Sequence, residues 1–361
     1  MRRKPRMIPR IFYFSLCFFL IGILLSFVYR RSAAFAGFIN ETVARAFRFV
    51  LGKITSLAPV SVAEILLMLI PVLVIVAVVI SFLYAKTARL RVRMLCIVLA
   101  LLMPLYSLYM LTLAPGYHAP TLEEQMQLST EDIKPEEVKN TAEILLSELE
   151  EVLDSIKFKE NGASENPLSL DALGEEIVKA YDAFLADYPI AHNFSSRPKP
   201  VILREWMTYA ELLGVYTFFT GEANVNTTYP DYNHPFTVAH EFAHQRGISR
   251  ENEANFVAAL VCTYSENDYV RYSGLMNLFE YILSAYARAD LEGYRAFRKT
   301  VDDRIKGEIN AYIEWREPYR DHVLGEVSST VNNAYLEMNG TPGVISYSFV
   351  VELAVAHYTR R

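Results

Sequence analysis

The sequence contains three long runs without a charged residue, at residues 11–29, 65–85 and 94–115. Each run is close to the roughly 20 residues that an α-helix needs to cross the hydrocarbon core of a bilayer. Because no water is present at that depth, a helix is the structure that satisfies the backbone of such a run. Pro71 and Pro104 lie inside the second and third runs, where proline bends a membrane helix without ending it. The runs therefore predict three transmembrane helices, with the lipid bilayer as a partner of the chain.

The distribution of charge divides the chain near residue 115. Residues 1–115 carry 14 Lys or Arg and 2 Asp or Glu, whereas residues 116–361 carry 21 and 39, so the formal net charges are +12 and −18. The acidic second part excludes a strongly basic nucleic-acid-binding protein, and an aromatic content of 13% excludes a disordered chain. We therefore expect a membrane anchor over residues 1–115, a soluble domain over residues 116–361, and no nucleic-acid partner.

Positive charge in the short loops predicts the sidedness of the anchor. Basic residues precede the first run and separate the second from the third, namely Arg2, Arg3, Lys4, Arg6, Arg10, Lys86, Arg89, Arg91 and Arg93. With three spans, these two segments share one side of the membrane, which should be the cytoplasm. The N-terminus is therefore expected in the cytoplasm and the acidic domain outside it.

The first apolar run has an alternative interpretation as a cleaved signal peptide, with residues 34–36 (AFA) as the cleavage site. Arg30 and Arg31 stand between the run and that site, which favours the anchor. The loop after this run has apolar residues at helical spacing, Ile39, Val43, Phe47, Val50 and Ile54, so part of it is expected to lie along the membrane surface.

The acidic part shows mainly helical periodicity with a short interruption. Residues 129–156 and 168–187 have apolar stripes that predict two amphipathic helices. Residues 200–203 and 214–219 are rich in β-branched and aromatic side chains and predict strands, which residues 222–226 extend or flank. Beyond Pro235 the pattern is helical again, so this part is expected to be α+β with few strands.

The stretch 237–256 contains the pattern His240-Glu241-x-x-His244. On a helix, residues four apart share a face, so both imidazoles can bind one metal ion. Glu241 follows one position round the helix, where its carboxylate can reach a water molecule at an open coordination position. The metal polarises the water and a carbonyl group, and the carboxylate takes the proton and passes it to the leaving amine. The pattern therefore predicts a catalytic metal site with Glu241 as the general base.

A catalytic zinc ion needs a third protein ligand and keeps one position open for water. Gly247 comes three residues after His244, where the chain must leave the helix, and Ser249 is a suitable cap for a new helix. Glu251 and Glu253 then lie at the start of that helix, so a carboxylate from this helix completes the set of ligands.

These residues resemble those of the gluzincin zinc peptidases, in which HExxH is followed by a helix bearing Glu-x-x-Ala-Asp/Asn. The segment ENEANFVA at 251–258 is similar to the form with the ExxAN-F-A signature. The resemblance implies Zn²⁺ as the cofactor and Glu251 as the third ligand, with Glu253 as the fallback. It also implies that Asn255 supports the site from behind the ligands.

The chain also resembles, over nearly its whole length, an uncharacterised family of bacterial membrane proteins, classed as a domain of unknown function with a predicted zinc-peptidase site. This resemblance is carried by the three N-terminal spans and by the segments GEANVN at 221–226, HPFTVAHEFAHQRG at 234–247, ENEANF at 251–256 and the stretch 331–351. It implies a zincin-like fold and a metal site in a bacterial cell membrane, without naming a substrate.

Two further parts of a peptidase site are expected. Gluzincins place an edge strand beside the HExxH helix to pair with an extended substrate, and residues 216–226 are expected to provide it or an internal strand. A hydrogen-bond donor for the oxyanion is expected as well, with Tyr264, Tyr272 and His322 as candidates. Tyr272, which opens a helix after Arg271, is the preferred candidate.

The sequence thus predicts a membrane-anchored α+β protein, in which three transmembrane helices precede a mainly helical zincin-like domain with a small β-sheet. The expected function is that of a multi-pass, membrane-anchored zinc metallopeptidase whose peptide or protein substrate lies on the extracytoplasmic side or near the bilayer. The alternative is a non-catalytic membrane sensor or scaffold with a structural zinc site. An amidase acting on cell-wall peptides would share the metal chemistry.

Overall fold

The computed structural model describes residues 8–84, 87–343 and 349–360. Parts of three predictions lie outside these residues: the last residue of the run 65–85, the positions of Arg2, Arg3, Lys4, Arg6 and Lys86, and residues 344–348 of the stretch 331–351. The first part of the described chain is helical: α1 (Arg10–Tyr29), α2 (Ala33–Ile39), a π-helical turn (Asn40–Ala44), α3 (Arg45–Thr55), α4 (Val62–Tyr84) and α5 (Ala88–Thr112).

Three of these helices are long and apolar enough to cross a membrane, which confirms the prediction of three apolar N-terminal helices. They are Arg10–Tyr29, Val62–Ile80 within α4, and Ala88–Thr112, with mean hydropathies of 2.6, 3.0 and 2.2. Pro71 and Pro104 lie inside α4 and α5, and both helices continue through them. In the most apolar stretch of each of these helices, at most 22% of the residues are buried within the protein, as expected for side chains that face lipid.

Helices α1 and α5 pack closely through small and hydroxyl-bearing side chains. The Ser15 hydroxyl donates to the carbonyl of Ala100 at 2.8 Å, and the Ser107 hydroxyl donates to the carbonyl of Phe18 at 2.8 Å. A Cβ at Gly22 would lie 3.1 Å from Oγ of Ser107, so the glycine allows the two backbones to approach. Such contacts stabilise helix pairs in membranes, where burial of apolar surface gives no advantage over lipid.

The second part of the chain is mainly helical. Its helices are α6 (Ala114–His118), α7 (Leu122–Met126), α8 (Pro135–Leu153), α9 (Leu170–Asp187), α10 (Arg204–Tyr209), α11 (Asn233–Arg246), α12 (Glu251–Thr263), α13 (Asp268–Ala289), α14 (Leu291–Phe297), α15 (Asp303–Arg316), α16 (Val323–Met338) and α17 (Val350–Thr359). Helices α8 and α9 lie within the predicted segments 129–156 and 168–187. The α+β class is therefore confirmed.

A small sheet interrupts the helices at the predicted place. Its strands are β1 (Lys199–Pro200), β2 (Gly214–Thr217) and β3 (Glu222–Val225), in the order β1-β3-β2. Strand β3 pairs antiparallel with β2 and parallel with β1. The strand predicted at 200–203 is present only as residues 199–200, because residues 202–203 form a turn whose backbone N–H groups donate to the carboxylate of Glu64 at 2.8 and 2.6 Å. Strand β2 is an edge strand within the described residues, whereas β3 is internal.

The core of the second part is built around α11, α12 and α13, with α8, α9 and α17 packed against them. Helix α12 is buried on all sides from Glu253 to Cys262, and Cys262 lies against Gly274 of α13. The core therefore holds the helix that carries HExxH and the helix that follows it in a rigid setting.

The segment between α1 and α4 packs on the second part of the chain. Glu222 of β3 accepts hydrogen bonds from the backbone N–H groups of Val62 and Ala63 at the start of α4, at 3.0 and 2.7 Å. Lys199 donates to the carbonyl of Thr55 at 2.9 Å. The residues between the first two spans and those after the third span are thus on the same side of the spans, as the prediction of three spans requires.

Helix α3 presents two unlike faces. Phe47, Val50 and Ile54 are exposed, by 40%, 51% and 60%. Arg48 on the opposite face is buried and donates hydrogen bonds to the carbonyl of Thr112 at 2.7 Å and to the side chain of Asn40 at 2.9 Å. Ile39, the first residue of the predicted apolar stripe, is buried in the protein, so only the later part of the stripe is exposed, and its position along the membrane surface stays a prediction.

Candidate metal centre

Helix α11 carries His240, Glu241 and His244 and is buried over most of its length. It ends where the sequence predicts, because Gly247 adopts a left-handed conformation with φ of 101°. The backbone N–H of Gly247 donates to the carbonyl of His244, and that of Ile248 donates to the carbonyl of Ala243, both at 3.0 Å. These two bonds form a Schellman motif, which turns the chain sharply into α12.

The turn brings Glu251, the first residue of α12, to the two histidines. Oε2 of Glu251 lies 3.3 Å from Nε2 of His240 and 3.6 Å from Nε2 of His244. The two Nε2 atoms are 3.0 Å apart. All three donor atoms lie within 4.8 Å of one another. The structure therefore brings together the two histidines and the preferred third residue of the prediction.

The chemistry of this cluster fits a divalent metal ion. Nδ1 of His244 lies 2.8 Å from the carbonyl oxygen of Ile248, which requires the proton on Nδ1 and leaves the lone pair of Nε2 directed at the cluster. Burial opposes a charge on His244, but the Glu251 carboxylate outweighs it and raises the pKa of His244 to about 9. The cluster thus favours a bound positive charge, and a proton and a metal ion compete for the same ligand atoms. Two imidazoles and one carboxylate are a known set of ligands for catalytic zinc.

Glu241 is next to the cluster but separate from it. Its side chain is 3% exposed, and Oε2 has no hydrogen-bond partner among the described residues. Burial raises the pKa of Glu241 to about 7, against the effect of the neighbouring histidines. The carboxyl group packs against Gly214 of β2, where a Cβ would lie only 2.4 Å from its Oε1. A buried carboxyl group with a pKa near 7 can accept and release a proton at neutral pH.

These residues line one side of a cavity of about 890 Å³. Residues 210–216, which include three of the four residues of the edge strand β2, form a second side, and helices α13, α15 and α16 form further sides. Leu113, the residue after the third span, and Tyr117 also line the cavity. Tyr117 stacks edge-on against Tyr335 of α16, with ring centroids 5.9 Å apart. The cavity therefore begins next to the end of a membrane-spanning helix.

Two of the predicted site residues lie elsewhere. Tyr272 is fully buried in the core, and its hydroxyl group donates to Glu308 at 3.1 Å, so it does not line the cavity and the preferred oxyanion donor is corrected. Glu253, the fallback ligand, accepts hydrogen bonds from Arg250 at 3.0 Å and from the backbone of Leu122 at 2.9 Å. It points away from the cluster and is excluded as the third residue.

Of the remaining candidates, two lie away from the cavity and one lines it. Tyr264 donates to Asp187 at 2.8 Å, and His322 caps the start of α16 by accepting from the backbone of Leu324 at 3.2 Å, so neither lines the cavity. Asn255 does line it, and its Nδ2 makes no hydrogen bond to a described residue. Its supporting role therefore stays a prediction.

Sequence reasoning missed one face of α13. Four residues of this helix recur at helical spacing and line the cavity together, namely Asn277, Glu280, Tyr281 and Ser284. The pKa of Tyr281 is raised by burial and by the charges of Glu251 and Glu280, so this ring interacts electrostatically with one carboxylate of the metal cluster and with one of α13. Helical spacing could have suggested that these four residues share a face, but nothing in the sequence indicated which face of α13 meets the cavity.

The fold and the cluster define a class of protein: a chain with three apolar N-terminal helices and a mainly helical domain in which two histidines and a glutamate converge. The chain belongs to the family described as "Protein of unknown function (DUF3810)", whose model matches residues 40–355. This membership confirms the resemblance to a family of unknown function with three apolar N-terminal helices, whereas the resemblance to gluzincin zinc peptidases stays a prediction. No curated protein and no solved structure matches the chain.

Proposed function

We propose that this protein is a membrane-anchored zinc metallopeptidase, with its domain on the extracytoplasmic side of a bacterial cell membrane. One observation carries the proposal. The donor atoms of His240, His244 and Glu251 converge beside the buried carboxylate of Glu241, whose Oε2 has no hydrogen-bond partner among the described residues, inside a cavity bordered by an edge strand. A structural zinc site is closed by four protein ligands, whereas a site with three ligands beside a base keeps room for water.

His240, His244 and Glu251 would hold the zinc ion. When bound, the ion would supply Lewis acidity to the attacking water molecule and to the carbonyl group of the scissile bond. Glu241 takes the proton of the attacking water and then donates it to the nitrogen of the leaving amine. Because Glu241 is buried and packed against Gly214, it performs both transfers without a large movement.

The edge strand β2 gives the cavity a way to orient a peptide. One side of β2 pairs with β3, and residues 214–216 of β2 line the cavity. An extended peptide placed there adds a strand to the sheet, so its backbone is held by hydrogen bonds that do not depend on its side chains. The hydroxyl group of Tyr281 lies on the opposite wall and is our candidate for the oxyanion donor in place of Tyr272.

The proposal is tested with the purified full-length protein in detergent. Zinc content is measured by elemental analysis, and hydrolysis is measured on a mixed peptide library by mass spectrometry. Wild type should bind one zinc ion per chain and cleave peptides. His240→Ala should lose both properties, whereas Glu241→Gln should keep the zinc and lose cleavage.

The matched pair of variants makes the test specific. Hydrolysis that survives Glu241→Gln would contradict the role of this residue, and equal zinc in wild type and His240→Ala would contradict the ligand assignment. A zinc-loaded wild type that cleaves no peptide would overturn the peptidase and favour the sensor or scaffold.

A further inference from the structure

The cavity contains a carboxylate for which the hydrolysis of a peptide bond has no use. Glu280 lies on α13, on the face that lines the cavity with Asn277, Tyr281 and Ser284. The metal-binding cluster consists of other residues, and Glu241 is the base. Glu280 must therefore have either a structural role or a role in recognition.

The surroundings of Glu280 leave its charge uncompensated. The hydroxyl group of Tyr232 donates to Oε1 of Glu280 at 2.8 Å, and this is the one hydrogen bond of its side chain to a described residue. Burial raises the pKa of Glu280 to about 7, and the charge of Glu308 adds to the effect. The facing groups from α11, α13 and α15 are Tyr232, Tyr281, Tyr312 and Glu308, none of which carries a positive charge.

The rest of the cavity offers no positive charge either. Among the described residues that line it there is no lysine and no arginine. The other carboxylate outside the metal centre, that of Glu211, is paired with Arg316 at 3.0 Å, and both side chains are nearly half exposed. Glu280 is therefore a partly buried carboxylate of this cavity that lacks a counter-ion among the described residues, and its Oε2 makes no hydrogen bond to a described residue.

The position of Tyr232, the partner of Glu280 at the start of α11, indicates how far this charge is from the reacting bond. Tyr232, which binds Glu280, precedes His240 by eight residues, and a helix rises 1.5 Å per residue, so the two are separated by about 12 Å along the axis. An extended peptide advances about 3.3 Å per residue. A side chain that reaches Glu280 thus belongs to a residue a few positions away from the scissile bond, rather than to the scissile bond itself.

We propose that Glu280 binds the cationic side chain of a lysine or arginine in the peptide substrate, a few residues from the bond that is cut. The inference rests on the proposed function and adds the class of substrate: peptides with a basic residue at a fixed distance from the scissile bond. The ammonium or guanidinium group donates to Oε2, while Tyr232 holds Oε1. A desolvated ion pair of this kind gives specificity, because a neutral side chain would leave the carboxylate unpaired.

Binding tests the inference separately from hydrolysis. The full-length, zinc-loaded protein with Glu241→Gln is titrated in detergent with a pool of N-acetylated octapeptides in which one lysine is moved through each position. A matched pool has norleucine, which has the same chain length without the charge. For at least one position we expect lysine to bind about tenfold tighter or more than norleucine.

The variant Glu280→Gln should remove this preference, whereas Glu211→Gln should keep it, because the charge of Glu211 is already paired. A preference for lysine that persists in Glu280→Gln, or equal binding of lysine and norleucine at every position, overturns the proposal. Failure of hydrolysis in the experiment of the preceding section, with the lysine preference present here, overturns the peptidase but leaves the cation site.

Discussion

Glu241 owes its position to the absence of a side chain at Gly214. A Cβ at residue 214 would lie 2.4 Å from Oε1 of Glu241 and 2.8 Å from Cγ2 of Thr237. Real Cβ contacts do not reach such distances, so one of the groups must move. Since Glu241 is 3% exposed, its carboxyl group has no free space on the solvent side and can move only within the site.

The variant Gly214→Ala should therefore lower kcat of peptide hydrolysis by tenfold or more, because a displacement of about 1 Å in a catalytic group costs on the order of 100-fold. Zinc content should remain that of wild type, since residue 214 does not touch the ligands. Gly325→Ala is the matched control in the same cavity, because a Cβ there would meet no atom closer than 3.5 Å. Equal kcat for Gly214→Ala and Gly325→Ala would contradict the positioning role of Gly214.

The raised pKa of Glu280 leads to a prediction of how the stability of the protein changes with pH. Burial raises its pKa in the folded state from the ordinary 4.5 to about 7. The folded protein therefore binds more protons than the unfolded chain between these values, so this group stabilises the fold below about pH 4.5 and loses that contribution as pH rises through 7. Glu280→Gln should have nearly the same Tm as wild type at pH 5 and a higher Tm at pH 8, measured in detergent. A difference in Tm that is independent of pH would show that Glu280 is not buried as a lone acid.

At the scale of helices and strands, the features that depend on the spacing of neighbouring residues could be predicted from the sequence. The end of α11 at Gly247 follows from the conformational freedom of one residue. The start of α12 at Glu251 is close to the predicted place, but the predicted cap is wrong: the N-cap is Arg250 without a side-chain cap, and the Ser249 hydroxyl donates to the carbonyl of Leu113 at 2.8 Å. The convergence of His240 and His244 follows from four-residue spacing. These properties depend on a few neighbouring residues, so they are visible in the sequence.

The error at Tyr272 has a simple geometric cause. Tyr272 and Tyr281 are nine residues apart on α13, which is two and a half turns of a helix, so they point in opposite directions. Tyr272 faces Glu308 in the core, and Tyr281 faces the cavity. Which face of α13 meets α11 is decided by the packing of whole helices, about which a single sequence contains little information.

The docking of α3 was equally invisible in the sequence. Arg48 appeared to be one of several basic residues in a loop, yet its guanidinium group is buried under the turn after α11. Its Nη atoms donate to Asn40 at 2.9 Å and to the carbonyl of Thr112 at 2.7 Å, and a Cβ at Gly247 would collide with it. This side chain connects the loop between the first two spans, the end of the third span and the end of the HExxH helix.

Replacement of Arg48 should therefore affect the metal site from a distance. Arg48→Gln cannot reach all three acceptors and leaves buried carbonyl groups unpaired, at a cost of about 1–3 kcal/mol for each. We expect a clear loss of Tm and weaker retention of zinc during dialysis against a chelator. Arg45→Gln is the control on the same helix, since no hydrogen bond of the Arg45 side chain to a described residue is present. Equal Tm and zinc retention in the two variants would contradict a connecting role for Arg48.

At the scale of the whole molecule, the basic N-terminal part and the acidic domain pack directly against each other. The loop between α1 and α4 binds the sheet through Glu222 and Lys199, and Arg30 at the end of α1 donates to the carbonyl of Met338 in α16 at 2.5 Å. The cavity begins at Leu113, one residue after the third span. A peptide attached to the bilayer would thus need to extend only a short distance to reach the metal centre.

The sidedness of the molecule is the last prediction. If the three helices span the membrane, the start of α5 lies on the side opposite to the domain, and its basic residues Arg89, Arg91 and Arg93 predict that this side is the cytoplasm. We expect a membrane-impermeant maleimide to label Glu160→Cys in intact spheroplasts and to label Ala88→Cys only after lysis. Both positions are exposed, and the three native cysteines are replaced by serine in this background. Labelling in the reverse order would invert the topology, and labelling of both positions before lysis would contradict three spans.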